Sequence, residues 1–368
     1  MDVREVAGRL QVESADSRHT FHPIWLRERC PCAECTDPAT GQRLIDGTAI
    51  PLDLMVTNAT AGDDGTVTVH YSDGHESRFA AAHLTPPAPA TSIVPEGAVT
   101  WDGRRNGPPE ADHGEATASD AGLHDLLSKL ATHGFVVVRG APREMDAVGE
   151  FARTIGPIRE TNWGVIADVK ALPRAFDLTM TPRRLEPHAD NPYRDPIPGY
   201  VLLHCLVNSA RGGDSTMTDG FAVAEALRRD DPAAFDALTR VWPRYRYADD
   251  EIVMENQGPL IETDPDGIVR RVRFSNRTDD VAALDPDTLE TYYRARRRYA
   301  EMVNSDQFMI EFKLEPGDIL MMDNYRMLHG RTAYEPGTGE RHMRQCYMDK
   351  DAVEGRRKIL AQQLREAA

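Results

Sequence analysis

The stretch LEPHADNPYRDPIPG, residues 185–199, holds a histidine and an aspartate two positions apart, His188 and Asp190, among prolines. Alone, His-x-Asp is a weak signal that arises by chance and reads as readily as two polar loop residues. If the pair lies at a strand end, alternate side chains point the same way. That is what a mononuclear non-haem Fe(II) centre requires: two histidines and one carboxylate on one face, the other face open. The third ligand must then come from far downstream, on an adjacent strand. His329, in DNYRMLHGRTAY (323–334), follows the strand-like run GDILMMD, and Gly330 beside it suits a tight turn. Arg341, in the final strand RHMRQCYMD, fits a bidentate pair with a dicarboxylate co-substrate on the open face. Singly, His329 reads equally as a core histidine and Arg341 as a surface charge. The ordered set of His-x-Asp, distant His-Gly-Arg and a following arginine is far more specific.

A second cluster lies near the start. RCPCAEC (29–35) brings Cys30, Cys32 and Cys35 within six residues. In a reducing compartment such density reads as a metal site, not a disulfide framework. Tetrahedral Zn2+ needs a fourth ligand. His75, in the turn SDGHES, is the nearest candidate, with His83 as the alternative. Such a site would be structural, holding together a unit too small for a strong core. Cys205 and Cys346 sit in apolar stretches and read as buried, inert thiols.

The rest of the chain sets bounds. Its 368 residues suggest two domains, and 40% hydrophobic with 28% charged content suits a globular protein with a sizeable core. A net charge of −16 argues against general binding to nucleic acid or an anionic membrane. The longest apolar run, LLHCLV, falls far short of the roughly 20 residues that span a bilayer. The start, MDVREVAGRLQVESAD, has no apolar signal core, so a cytoplasmic location is expected.

Residues 1–85 read as a small β-rich unit, with GTVTVHYSDGHESRF (65–79) as a hairpin turning at Asp73-Gly74. The Pro-, Gly- and Ala-rich stretch 86–120 reads as a linker. Residues 121–368 alternate short strands with a few helices, among them 123–134 and 284–305. FMIEFKLEPGDILMMDNYRMLHGR (308–331) reads as two strands joined at Pro316-Gly317. The whole predicts a mainly β catalytic domain with flanking helices, a sandwich or barrel.

These motifs together resemble the gamma-butyrobetaine hydroxylase and trimethyllysine hydroxylase branch of the TauD/TfdA-like Fe(II)/2-oxoglutarate-dependent dioxygenases. WLRERCPCAEC resembles its N-terminal zinc unit. LLHCLVNSARGGDSTMTDGF, FSNRTDD, LEPGDILMMDNYRMLHGRTAYEPGTGERH and CYMD resemble its catalytic domain. The resemblance implies a double-stranded β-helix (jelly-roll) fold, with Fe(II), 2-oxoglutarate and O2 as cofactor and co-substrates, a structural Zn, a small-molecule substrate and a homodimer. It places His188, Asp190 and His329 as iron ligands, Arg341 and Ser215 at 2-oxoglutarate, and Cys30, Cys32, Cys35 and His75 at zinc. An aspartate at position 190 favours oxygenation, since related halogenases leave that ligand position to a halide. The branch's trimethylammonium cage is only partly kept. Tyr347 and Trp163 match aromatic positions, Met180 and Asn191 stand where tyrosines are expected, and Asp177 replaces an asparagine. Asn276 keeps a polar substrate contact, and Arg277 and Arg344 are added cations. The implied activity is oxidation of an unactivated C–H bond of a small zwitterionic amine, quaternary ammonium or amino-acid-like metabolite. Desaturation, rearrangement or C–N cleavage from the same hydrogen abstraction, and a non-catalytic metal-binding protein on the same fold, are the alternatives.

Overall fold

The computed structural model describes residues 2–13, 17–84, 92–170 and 181–367. The chain forms two compact units, residues 1–89 and 90–368.

The first unit contains two three-stranded antiparallel sheets. One comprises β1 (Asp2–Val6), β2 (Arg9–Glu13) and β3 (Arg18–Phe21). The other comprises β4 (Val56–Ala61), β5 (Thr66–Tyr71) and β6 (Glu76–Ala80). In β5 the alternation TVTVHY buries Val67, Val69 and Tyr71, the period-2 pattern of a half-buried strand. They pack with Leu10, Leu26 and Phe79 into a single small core. The β5–β6 hairpin turns at Asp73-Gly74, where Gly74 takes φ +84°, a left-handed conformation that glycine adopts without strain.

The second unit is built on β7 (Glu110–Asp112), β8 (Phe135–Arg139), β9 (Ala167–Lys170), β10 (Leu185–His188), β11 (Tyr200–Asn208) and β12 (Ser215–Asp219). An excursion follows, with β13 (Arg244–Ala248), β14 (Val253–Gln257), β15 (Ile261–Thr263), β16 (Val269–Val272) and β17 (Asp279–Asp280). The chain closes with β18 (Met309–Phe312), β19 (Ile319–Asp323), β20 (Met327–Arg331) and β21 (Arg341–Met348). A major sheet has the order β7-β8-β19-β11-β21-β9, and a minor sheet the order β10-β20-β12-β18. Between them lies a core of Phe135, Val201, Met217, Leu320, Met322 and Met343, drawn from both sheets. This is the expected double-stranded β-helix, with two facing sheets and non-sequential strand order. Helices Asp120–His133, Ala147–Ile155 and Lys350–Glu366 cover the outside of the major sheet, their apolar sides in one cluster with Val136, Leu202 and Met321.

Three expectations need correction. The 308–331 segment is three strands, not two, and β18 and β19 do not pair; they enter different sheets. The Pro316-Gly317 turn therefore crosses between layers. Gly330 is not a turn residue but lies within β20. A side chain there would meet the Leu185 carbonyl at 2.5 Å and Thr216 Oγ1 at 2.7 Å, so close approach of the flanking strands requires the glycine. Most of the expected linker is folded. Trp101 is buried, its Nε1 donating to the His133 carbonyl (2.9 Å), and β7 pairs parallel with β8.

Candidate active site

Strands β10 and β20 are neighbours, and His188 stands opposite His329 in their register. His188 ends β10, and Asp190 lies just past it. Ala189, between the two, donates its N–H to the Phe274 carbonyl (2.8 Å), which pins the bend. The imidazole rings of His188 and His329 lie 4.5 Å apart. Asp190 Oδ1 is 3.3 Å from His188 Nε2 and 3.8 Å from His329 Nε2. One ligand atom from each residue falls within 4.8 Å of the others, in a buried or half-buried setting.

The hydrogen bonding of this triad fits a metal ion. His188 Nδ1 faces the Glu186 carbonyl at 2.9 Å. A carbonyl only accepts, so Nδ1 carries the hydrogen and Nε2 presents a lone pair. That lone pair faces a carboxylate oxygen, and among the described residues Nε2 has no hydrogen-bond partner although it is buried. Two electron-rich atoms turned toward each other call for a cation between them. The other oxygen of the carboxylate is occupied: Oδ2 accepts from Gln345 Nε2 (2.7 Å) and Tyr347 OH (3.0 Å). Such outer partners orient a ligating carboxylate and fix which oxygen is free. Burial raises the Asp190 pKa, but the facing histidines and the Tyr347 hydroxyl outweigh it and hold the carboxyl well below its usual range. Burial pushes His329 down to about 4, against the pull of Asp190, so its imidazole is neutral at pH 7.

Beside the triad, Ser215, Thr216, Arg331 and Arg341 line a small cavity that also reaches His188 and His329. Arg341 opens β21, the strand that follows β20 along the chain, and β21 belongs to the major sheet while β20 belongs to the minor one. The arginine meets the triad across the interior. It is 9% exposed, its Nε has no partner among the described residues, and burial pushes its pKa down to about 10. A buried guanidinium without a counter-charge suits a carboxylate-bearing ligand. Thr216 Oγ1 is likewise buried without a partner. Arg331, which sequence reasoning missed, bonds to the Thr181 carbonyl and, at 2.9 Å, to the Arg183 carbonyl.

A larger cavity of about 730 Å3 opens on the other side of Asp190, a size suited to a small metabolite. Trp163, Asn191 and Tyr347 line it. Asn191 takes φ +52°, and its Oδ1 accepts from Tyr193 OH (2.6 Å). Asn276 does not line the cavity. It is exposed and its Oδ1 accepts from Arg296 (3.2 Å), while its neighbours, the buried Ser275 and the exposed Arg277, line the cavity. Asp177 and Met180 lie outside the described residues. Arg344 is drawn toward Asp168 (3.4 Å). Two aromatic wall residues were missed: Tyr247 stands edge-on to Trp163 (5.6 Å) and stacks on Tyr193 (5.2 Å). The run NPYR after Asp190 could have flagged Tyr193; nothing local marks Tyr247.

In the first unit, the helix Pro23–Arg27 leads into Cys30, and the β5–β6 turn delivers His75. His75 Nε2 lies 3.2, 3.8 and 3.6 Å from the sulfurs of Cys30, Cys32 and Cys35. A tetrahedral zinc ion with ordinary Zn–S and Zn–N bonds puts sulfur and nitrogen about 3.5 Å apart, so the spacing fits. Arg27 donates to Cys35 Sγ (3.0 Å) and to Asp73 (3.1 Å), placing a positive charge beside the thiolates. Burial lowers the His75 pKa, keeping it neutral as a ligand must be. His83, the alternative, is outside the cluster. Cys205 and Cys346 are buried, and burial pushes both thiols up to about 12, so both are inert.

Two facing sheets around a two-histidine, one-carboxylate triad, with a buried arginine behind it, define a non-haem iron oxygenase centre. Residues 105–347 match the taurine catabolism dioxygenase TauD, TfdA family, and the chain belongs to it. Residues 2–85 match the gamma-butyrobetaine hydroxylase-like N-terminal family. The chain is 35% identical to the gamma-butyrobetaine dioxygenase of Pseudomonas sp. (strain AK-1), over 96% of this chain and 94% of that protein. It is 29% identical to the Homo sapiens gamma-butyrobetaine dioxygenase, over 96% and 95%. It is 27% identical to the mitochondrial trimethyllysine dioxygenase of Gallus gallus, over 96% and 86%. The protein is thus an Fe(II)- and 2-oxoglutarate-dependent enzyme. Among the described residues, no helix is long and apolar enough to cross a membrane.

Proposed function

We propose that this protein oxidises an unactivated C–H bond of a small zwitterionic amine or amino-acid-like metabolite, with release of succinate and CO2. The observation that carries the reading is the juxtaposition of the triad with two cavities, one holding Arg341, which has no ion-pair partner among the described residues, and one open for a metabolite. His188, Asp190 and His329 would hold Fe(II), which with 2-oxoglutarate and O2 supplies the oxidising power for C–H cleavage. Arg341 would pair with the distal carboxylate of 2-oxoglutarate, with Ser215 beside it. Gln345 and Tyr347 keep Asp190 turned toward the metal through Oδ2. The walls of the larger cavity decide which C–H bond faces the metal, and placement selects the product. Cys30, Cys32, Cys35 and His75 would hold a structural zinc that fixes the first unit. A cytoplasmic homodimer is part of the same proposal, checked by light scattering on the purified protein.

The relatives named for gamma-butyrobetaine and trimethyllysine make zwitterionic ammonium compounds the first substrates to try. The test is a panel of such compounds with Fe(II) and 2-oxoglutarate, read by mass spectrometry. A product heavier by one oxygen, formed with succinate and lost in His188→Ala, supports the reading. Succinate formation that survives His188→Ala refutes the assignment of the iron ligands.

A further inference from the structure

The larger cavity is unevenly charged. Its two described carboxylates are already engaged: Asp190 belongs to the triad, and Asp168 lies 2.7 Å from His342 Nε2 and 3.4 Å from Arg344. Of its described cations, Arg246 is bonded to Glu255 (3.0 Å), and Lys170, exposed on β9, adds to the positive charge that acts on Asp168. Arg277 has no carboxylate partner among the described residues. The nearest acidic groups along the chain are paired elsewhere, Asp279 with Arg296 (2.8 Å) and Asp280 with Arg244 (2.5 Å).

An exposed arginine is ordinarily just a solvated charge. Two features set Arg277 apart. It sits in a turn, Ser275 to Thr278, closed by Thr278 N–H to the Ser275 carbonyl (3.2 Å). That turn follows Phe274, whose carbonyl holds Ala189 between His188 and Asp190. The arginine is thereby tethered to the ligand-bearing bend and lines the concavity a substrate would fill. Meanwhile the aromatic wall already carries a cation: the Arg194 guanidinium lies 5.0 Å over Trp163 and 5.9 Å from Tyr193, 9% exposed, and bonds to Asn162. A second cation gains little there.

We propose that Arg277 is the specificity-determining residue of this cavity, pairing with an anionic group of the substrate, a carboxylate or a phosphonate. The proposal rests on the oxygenase reading for its reaction but concerns binding, and it can fail separately. The test uses the full-length, iron-loaded enzyme with gamma-butyrobetaine, its primary amide and its phosphonate analogue. Binding is measured by calorimetry and stimulated 2-oxoglutarate consumption by succinate release. The wild type should favour the anionic probes over the amide, and the preferred anion distinguishes carboxylate from phosphonate. Arg277→Gln should weaken the preferred anion by roughly tenfold to a hundredfold in Kd and KM, the worth of a charge-assisted hydrogen bond, without weakening the amide. Arg277→Lys should recover part of the loss. Equal loss for amide and anion, an Arg277→Gln Kd within about twofold of wild type, or no preference for either anion in the wild type overturns it. Absence of succinate under every condition would count against the oxygenase reading, while calorimetry would still report on Arg277.

Discussion

Asn324 grips the backbone of Asp190 from both sides. Its Oδ1 accepts from the Asp190 N–H at 2.7 Å, and its Nδ2 donates to the Asp190 carbonyl at 2.9 Å and to the Pro198 carbonyl at 2.9 Å. All of this is buried. Asn324→Ala strands backbone groups that cost about 1–3 kcal/mol each when unsatisfied. The variant should melt at a lower temperature and bind Fe(II) roughly tenfold more weakly or worse. Iron titration followed by tryptophan quenching checks the second effect separately from the first.

Tyr347→Phe removes a single donor to Asp190 Oδ2 while Gln345 remains. Fe(II) affinity should drop on the order of tenfold, and Gln345→Leu with Tyr347→Phe should lose more than the product of the two single effects, because the carboxylate is then free to turn. Strictly multiplicative losses would argue that the two donors do not share one task.

Arg341→Met separates binding from stability. The KM for 2-oxoglutarate should rise on the order of a hundredfold as the charged partner of the distal carboxylate disappears. The melting temperature without co-substrate should not fall, since a buried cation lacking a counter-charge is itself costly. A large drop in melting temperature would mean that the guanidinium serves the fold instead.

His204 gives a pH dependence remote from the metal. It lies fully buried on β11, and burial pushes its pKa down to about 4. The unfolded chain therefore takes up a proton first as pH falls. The contribution to stability is intact above about pH 6.5 and is lost as pH drops toward 4, by up to roughly 3 kcal/mol. Urea denaturation between pH 7 and 4.5 should show a shallower slope in His204→Gln than in the wild type.

Zinc analysis should find one zinc per chain, lost in Cys32→Ser. Binding energy of a structural zinc is folding energy, so the first unit should become sensitive to protease once the metal is removed by a chelator. Full protease resistance with no zinc would show that the Leu10, Val67 and Phe79 core suffices alone.

The residues legible from sequence were those whose chemistry is rare enough to stand out: His188, Asp190, His329, Arg341 and the Cys30, Cys32, Cys35, His75 group all come together in the structure. The hairpin at Asp73-Gly74 was equally plain, because alternation and turn chemistry are local. What was missed depends on crossings between layers. Asn324, Gln345 and Tyr247 are ordinary residues locally, and only the arrangement of strands brings them to the site. Gly330 was read as a turn because glycine signals both turns and close approach, and the sequence does not say which. The stretch before residue 120 looked like a linker by composition, yet a single tryptophan, Trp101, is enough to seat part of it.

The pairing of His188 with His329 across adjacent strands also has a consequence in time. About half of the catalytic unit separates them along the chain, whereas the three cysteines and His75 are complete early. On a ribosome, the thiolate group can capture its ion while most of the protein is still unmade. The oxygenase centre cannot exist until almost the last strand has emerged. A nascent or truncated chain is thus kept from assembling an iron centre able to activate oxygen before there are walls to contain it.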